Sequence, residues 1–158
     1  MIGHLQSNKV KRALSFFDTI HSVDSVSLAS EINKQANLIN KCIDCFIEVN
    51  VAGEDAKYGI KPDQVYDSVK EVSLLSNIKI VGLMTMAPFV DNPEKVRSYF
   101  RDLRNLRDSL LSENIPNTDI KELSMGMTQD FEVAIEEGAT YIRVGSGIFS
   151  AEGGSASG

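Results

Sequence analysis

The chain has 158 residues, of which 42% are apolar and 24% charged, and its formal net charge is −6. That balance suits one globular domain with a real core and excludes a nucleic-acid binder, which needs a basic surface to meet phosphates. No apolar run approaches the roughly 20 residues that span a bilayer, and no leader precedes the first motif, so the expectation is a cytoplasmic protein with neither a nucleic-acid nor a membrane partner.

In chain order, Ile2-Gly3-His4 reads as the end of a strand that stops at His4. Phe17–Ile20 reads as the next strand, with His21 and Ser22 just beyond it. Cys42 and Cys45 then lead into an apolar run, Cys45–Val51, that ends around Asn50. A redox pair needs that spacing at the start of a helix and a structural zinc needs four ligands, so two ordinary thiols are expected. Pro62 suits the first turn of a helix carrying Val65, Val69 and Val72 on one face. Ile78–Met84 is the third run, with Thr85 after it. Val96, Phe100, Leu103, Leu106 and Leu110 stripe the next helix. Arg97, Arg101 and Arg104 on another of its faces are interleaved with Glu94, Asp102 and Asp108 and read as a solvated surface. Ile120–Leu123 is the fourth run and ends at Ser124. Thr128 is placed to cap a helix from Gln129 to Glu137, with Asp130 in its first turn and Gly138 as its stop. Tyr141–Val144 is the last strand.

Short apolar strands alternating with helices make parallel β/α units with right-handed crossovers, and continuous rather than alternating hydrophobicity fits strands covered on both faces. The fold class expected is therefore α/β: a partial eight-stranded β/α barrel with about six of its eight units. It would occupy residues 1–150, with the small polar stretch 151–158 as a flexible tail. The unusual polar residues (His4, His21, Asn50, Thr85, Ser124, Arg143 and Ser146) all fall where apolar runs end. In a barrel that rim carries the chemistry, and phosphate binds after the last two strands. Arg143-Val144-Gly145-Ser146-Gly147 has the composition of such a cradle: glycines expose backbone N–H groups, a hydroxyl adds a donor and an arginine adds charge.

Four motifs, Gly3-His4-Leu5-Gln6-Ser7-Asn8-Lys9, Gly82-Leu83-Met84-Thr85-Met86-Ala87-Pro88, Leu123-Ser124-Met125-Gly126-Met127-Thr128-Gln129-Asp130-Phe131, and Ile142-Arg143-Val144-Gly145-Ser146, occur in order from residue 2 to about 149. Together they resemble the pyridoxal phosphate homeostasis proteins, which carry pyridoxal 5′-phosphate (PLP) on a barrel similar to the N-terminal domain of alanine racemase. The resemblance implies that Ser124, Gly145 and Ser146 hold the PLP phosphate, with Thr128 as a nearby second hydroxyl. It also implies that Arg143 faces the pyridine nitrogen, with Asn50 and His4 completing the cofactor contacts. A cation beside that nitrogen disfavours the pyridinium and weakens PLP as an electron sink, which suits a carrier or a racemase better than a transaminase.

The resemblance departs in one respect. Members of the family begin with two further strands, the first bearing the Schiff-base lysine, whereas this chain starts at the third. Lys9, Lys11 and Lys57 do not match the anchor position. The expectation is a truncated PLP-binding protein serving as a carrier or buffer in PLP homeostasis and not itself an enzyme, because no second acid/base group is evident. A PLP-dependent amino-acid racemase and a phosphate-binding barrel fragment are the alternatives. PLP-dependent enzymes that receive the cofactor and self-association through exposed sheet edges are the partners expected.

Overall fold

A computed structural model describes residues 1–54 and 57–149. Five parallel strands, β1 (Thr19–Val23), β2 (Ile43–Glu48), β3 (Ile78–Met84), β4 (Thr118–Met127) and β5 (Tyr141–Arg143), lie in the order β1-β2-β3-β4-β5, so each pairs with its sequence neighbour. Helices α1 (Val10–Ala13), α2 (Val26–Leu38), α3 (Val65–Val72), α4 (Arg97–Ser112), α5 (Phe131–Glu136) and α6 (Ser146–Phe149) alternate with them. The result is the curled α/β half-barrel that strict strand–helix alternation requires. The expected sixth strand at the N-terminus is not one of these elements. Met1 nonetheless donates its N–H to the Thr19 carbonyl (2.6 Å) and accepts from the His21 N–H (2.8 Å), so it sits beside β1 as a parallel neighbour would. The stretch 151–158 lies outside the described residues.

The core sits between sheet and helices. Ile20, Cys45, Ile47, Leu83 and Leu123 from the strands meet Ile32, Val65, Val69, Phe100 and Leu103 from the helices, all essentially without exposure. Each such side chain, taken from water, contributes about 1.5–3 kcal/mol. The helix stripes read from the sequence are the buried faces of α3 and α4. Cys45 packs in this core and Cys42 is exposed, both as free thiols.

Three local expectations are corrected. β1 starts two residues and ends three residues later than the apolar run, because His21 and Ser22 are buried strand residues rather than loop residues. Thr128 does not cap the following helix: Asp130 occupies the N-cap and its carboxylate accepts the Met127 N–H at 2.6 Å. Gly138 does end this segment, at φ +97. The arginine face of α4 is not simply solvated. Arg97, Arg101 and Arg104 reach the carboxylate of Glu137 at 3.2, 3.1 and 3.0 Å, and Glu137 is buried just beyond α5. Three cations offset the cost of a carboxylate at a helix C-terminus, where the dipole opposes it, and they hold its pKa below the ordinary value.

Candidate functional site

Opposite the helix side, alternate strand residues face the barrel interior. Phe46 and Met84 are buried there, outside the helix-side core. Phe46 has room only because position 82 is glycine: a Cβ at Gly82 would stand 2.8 Å from the Phe46 ring and 2.2 Å from the Glu122 carbonyl oxygen. His21 stacks on Phe46 at 4.2 Å between centroids, and Tyr141 meets both rings edge-on.

Above this aromatic layer Arg143 donates to the Ser124 hydroxyl (2.8 Å) and to the Thr85 carbonyl (2.7 Å). Ser124, wholly buried, is also 2.8 Å from His21 Nδ1. A hydroxyl that accepts from a guanidinium keeps its single proton and a second lone pair, so it can pair with Nδ1 of either neutral tautomer of His21. Burial, the N-terminal ammonium and Arg143 push the His21 pKa down to about 4, so it is neutral at physiological pH. Burial also lowers the Arg143 pKa from its ordinary value, yet guanidinium stays charged.

The residues expected to form the cradle lie beside this cluster. Ser146 donates its hydroxyl to Thr128 Oγ1 at 3.1 Å, and the Gly147 N–H reaches the same oxygen at 3.3 Å. Thr128 keeps its own proton to donate outward. No atom comes within 4 Å of where a Cβ would stand on Gly145. Thr128, Gly145 and Ser146 border a cavity of about 320 Å³ whose opposite wall is apolar, formed by Met86, Pro88 and Phe89. Of the residues expected to bind phosphate, these three are brought together; Ser124 is with Arg143 and His21 instead and does not line the cavity.

Asn50 and His4 fall elsewhere. His4 stacks on Tyr58 at 3.7 Å and lies 3.3 Å from the Asp24 carboxylate. The Asn50 amide donates to the Glu54 carbonyl at 2.8 Å and approaches the Lys57 carbonyl at 3.5 Å. Its Oδ1 is buried with no partner among the described residues, a state that costs about 1–3 kcal/mol. Ser22 and Thr85, also at strand ends, fasten backbone: their hydroxyls donate to the carbonyls of Gly3 and Val49, both at 2.7 Å.

Sequence reasoning missed Glu48. It is 7% exposed, and burial, reinforced by Asp24 and only partly offset by Arg143, pushes its carboxyl up to about 7. The available signal was a carboxylate set between the apolar Ile47 and Val49 near the end of the run Cys45–Val51. No helix among the described residues is long and apolar enough to cross a membrane.

Comparison with known proteins places this geometry. The alanine racemase N-terminal domain matches residues 1–152. A pyridoxal phosphate homeostasis protein of Aquifex aeolicus is 49% identical over 148 residues, 94% of this chain and 64% of that protein. The chain thus spans somewhat less than two thirds of that relative. The structure of PipY from Synechococcus elongatus with PLP bound is similar at a TM-score of 0.83 and 33% identity, covering 93% of this chain and 68% of PipY. An alanine racemase of Clostridium difficile shares the fold at a TM-score of 0.71 and 16% identity, covering 90% of this chain and 37% of the racemase.

Proposed function

The chain belongs to the alanine racemase N-terminal domain family, among the pyridoxal phosphate homeostasis proteins, and on that premise we propose that it binds PLP as a carrier or buffer rather than as an enzyme. The observation that carries this reading is the convergence of the Thr128 and Ser146 hydroxyls on the open space at Gly145, at the edge of a cavity. Those groups are all donors or small, as a phosphate requires. Gly145 leaves room for phosphate oxygens to approach the backbone. Arg143, with donors beyond the two bonds it makes to Ser124 and Thr85, would face the ring nitrogen. A guanidinium can only donate, so the nitrogen would act as acceptor and stay unprotonated. Ser124 would then act through Arg143 by holding it in place. When bound, PLP supplies an aldehyde that condenses with amines; what these residues do is hold the phosphate and ring.

Two partner assignments accompany this reading: PLP-dependent enzymes as recipients, and self-association through the edge strands β1 and β5. The second is supported by Tyr141 and Ile142 of β5, which are 47% and 40% exposed, and sedimentation velocity over a concentration series tests it.

The decisive experiment is calorimetric titration of PLP and of inorganic phosphate into the parent chain and two variants. Gly145→Val should abolish binding of both, because its side chain fills the phosphate's space. Arg143→Gln should weaken PLP about tenfold, or ~1.4 kcal/mol, and phosphate far less. Equal losses for both ligands in Arg143→Gln would make the arginine a phosphate ligand and defeat the assignment; unaltered binding in Gly145→Val would defeat the site.

A further inference from the structure

A second cavity, of about 370 Å³, opens between the ends of β2 and β3 and the loop that follows β2. Glu48, Asn50, Lys57, Tyr58 and Ala87 line it, and the segment around Met86 to Phe89 separates it from the phosphate cradle. Its geometry depends on Gly59. At φ +111, with the Asn50 nitrogen only 2.7 Å from where a Cβ would stand, this position folds the loop back onto the strand end. Ile60 then donates to the Glu48 carbonyl at 2.8 Å and accepts from the Asn50 N–H at 3.0 Å.

The polar groups left over at this cavity are of one kind. The orientation of the Asn50 amide is set, since its nitrogen end faces two carbonyls, those of Glu54 and Lys57. Reversing it would set oxygen against oxygen, so the buried atom with no partner among the described residues is an acceptor, Oδ1. The Glu48 carboxyl lines the same cavity and makes no hydrogen bond or ion pair among the described residues. The one ammonium on the lining, that of Lys57, is already paired with Glu54 at 2.7 Å. Tyr58 adds an aromatic surface, which favours a cation over an anion.

We infer that this cavity binds a small organic ligand through a primary ammonium group donated to Asn50 Oδ1 and Glu48. An ammonium carries three donors and no acceptor, so it satisfies both groups at once. A carboxylate or phosphate ligand would leave Oδ1 orphaned and would further oppose ionisation of Glu48. The protonation of Glu48 agrees. Burial and Asp24 raise its carboxyl and Arg143 lowers it only in part, so a further cation in the cavity is the partner that would let it ionise. The volume lies in the range of small-molecule sites. The inference uses neither the cradle nor PLP.

The test is a ¹H–¹⁵N NMR titration of the chain with propylammonium, propionate and 1-propanol, read at the Asn50 side-chain amide and the backbone amides of Gly59 and Ala87. Propylammonium should give saturable shifts with an affinity of roughly millimolar, the scale available to so few atoms. Propionate should bind at least about tenfold more weakly. Glu48→Gln should weaken propylammonium by about tenfold, and Tyr58→Ala, at a residue 58% exposed whose loss does not threaten the fold, by about threefold. Equal binding of propionate, shifts that never saturate, or undiminished affinity in both variants would overturn the assignment. Phosphate binding, read separately at Gly145 and Ser146, reports on the cradle, so either reading can fail without the other.

Discussion

Replacing Glu48 by Gln should make the protein more stable at neutral pH and leave it almost unchanged in acid. Glu48 points into the barrel interior from β2, where burial and Asp24 push its carboxyl from the ordinary 4.5 up to about 7 against the pull of Arg143. Between those two pH values the folded state holds one proton more than the unfolded chain, so stability falls as pH rises through the window. It is greatest below 4.5 and the loss is complete above about 7. At about 1.4 kcal/mol per pH unit the interval sets an upper bound of roughly 3 kcal/mol, and because Glu48 lines a cavity, solvent screening reduces this to about 1–2 kcal/mol. Gln has the shape of the protonated acid and cannot ionise, so the variant escapes the loss. His21 contributes the opposite slope: with its pKa lowered to about 4 from 6.5, stability rises with pH across that range. That slope is common to parent and variant and cancels in their difference. Urea denaturation followed by circular dichroism at intervals from pH 4 to 8.5 measures that difference. A gap that does not widen between pH 4.5 and 7, or a variant less stable than the parent above pH 7, would refute the reasoning.

Other expected outcomes follow from single contacts. Gly82→Ala should cost about 2–3 kcal/mol or more in urea denaturation, because its Cβ meets the Glu122 carbonyl and the Phe46 ring with neither free to yield. Ser124→Ala should cost about 1–3 kcal/mol by leaving an Arg143 N–H and His21 Nδ1 unpaired in the interior, and chemical denaturation of that variant measures it. Glu137→Gln should destabilise at neutral pH, since Arg97, Arg101 and Arg104 all converge on the lost charge. Because the folded carboxyl is held below its ordinary 4.5, its contribution is present above that value and lost as pH falls, so parent and variant should converge in acid melts. Gly145→Val, where no atom stands in the way of the new side chain, should change stability by less than about 0.5 kcal/mol, so a thermal melt separates its effect on binding from unfolding.

Much of the architecture was legible along the chain because the hydropathy of each element depends on its own residues. The apolar runs around β2, β3 and β5 and the stripes of α3 and α4 are local patterns, and their alternation is enough to imply a parallel α/β sheet. The glycine- and hydroxyl-bearing turn after β5 was equally visible as a candidate phosphate cradle, since its composition lies in five consecutive residues. The partners of the polar groups depended on how strands align with one another. The pairings shift in register between Ile20 and Val23, Cys45 and Phe46, Ile80 and Gly82, and Ser124 and Met127, and hydrophobic pattern does not specify where such bulges fall. That alignment put Ser124 between His21 and Arg143 rather than on the cradle, and freed the Thr128 hydroxyl from the helix it follows to meet Ser146. It also turned an arginine face read as solvated toward Glu137, 33 residues further along the chain from the nearest of the three arginines. The sequence by itself determined the five strands with helices between them, and most of the polar residues at their ends. Only the tertiary structure decided which of those ends meet, because burial and desolvation, unlike hydropathy, belong to contacts between distant residues.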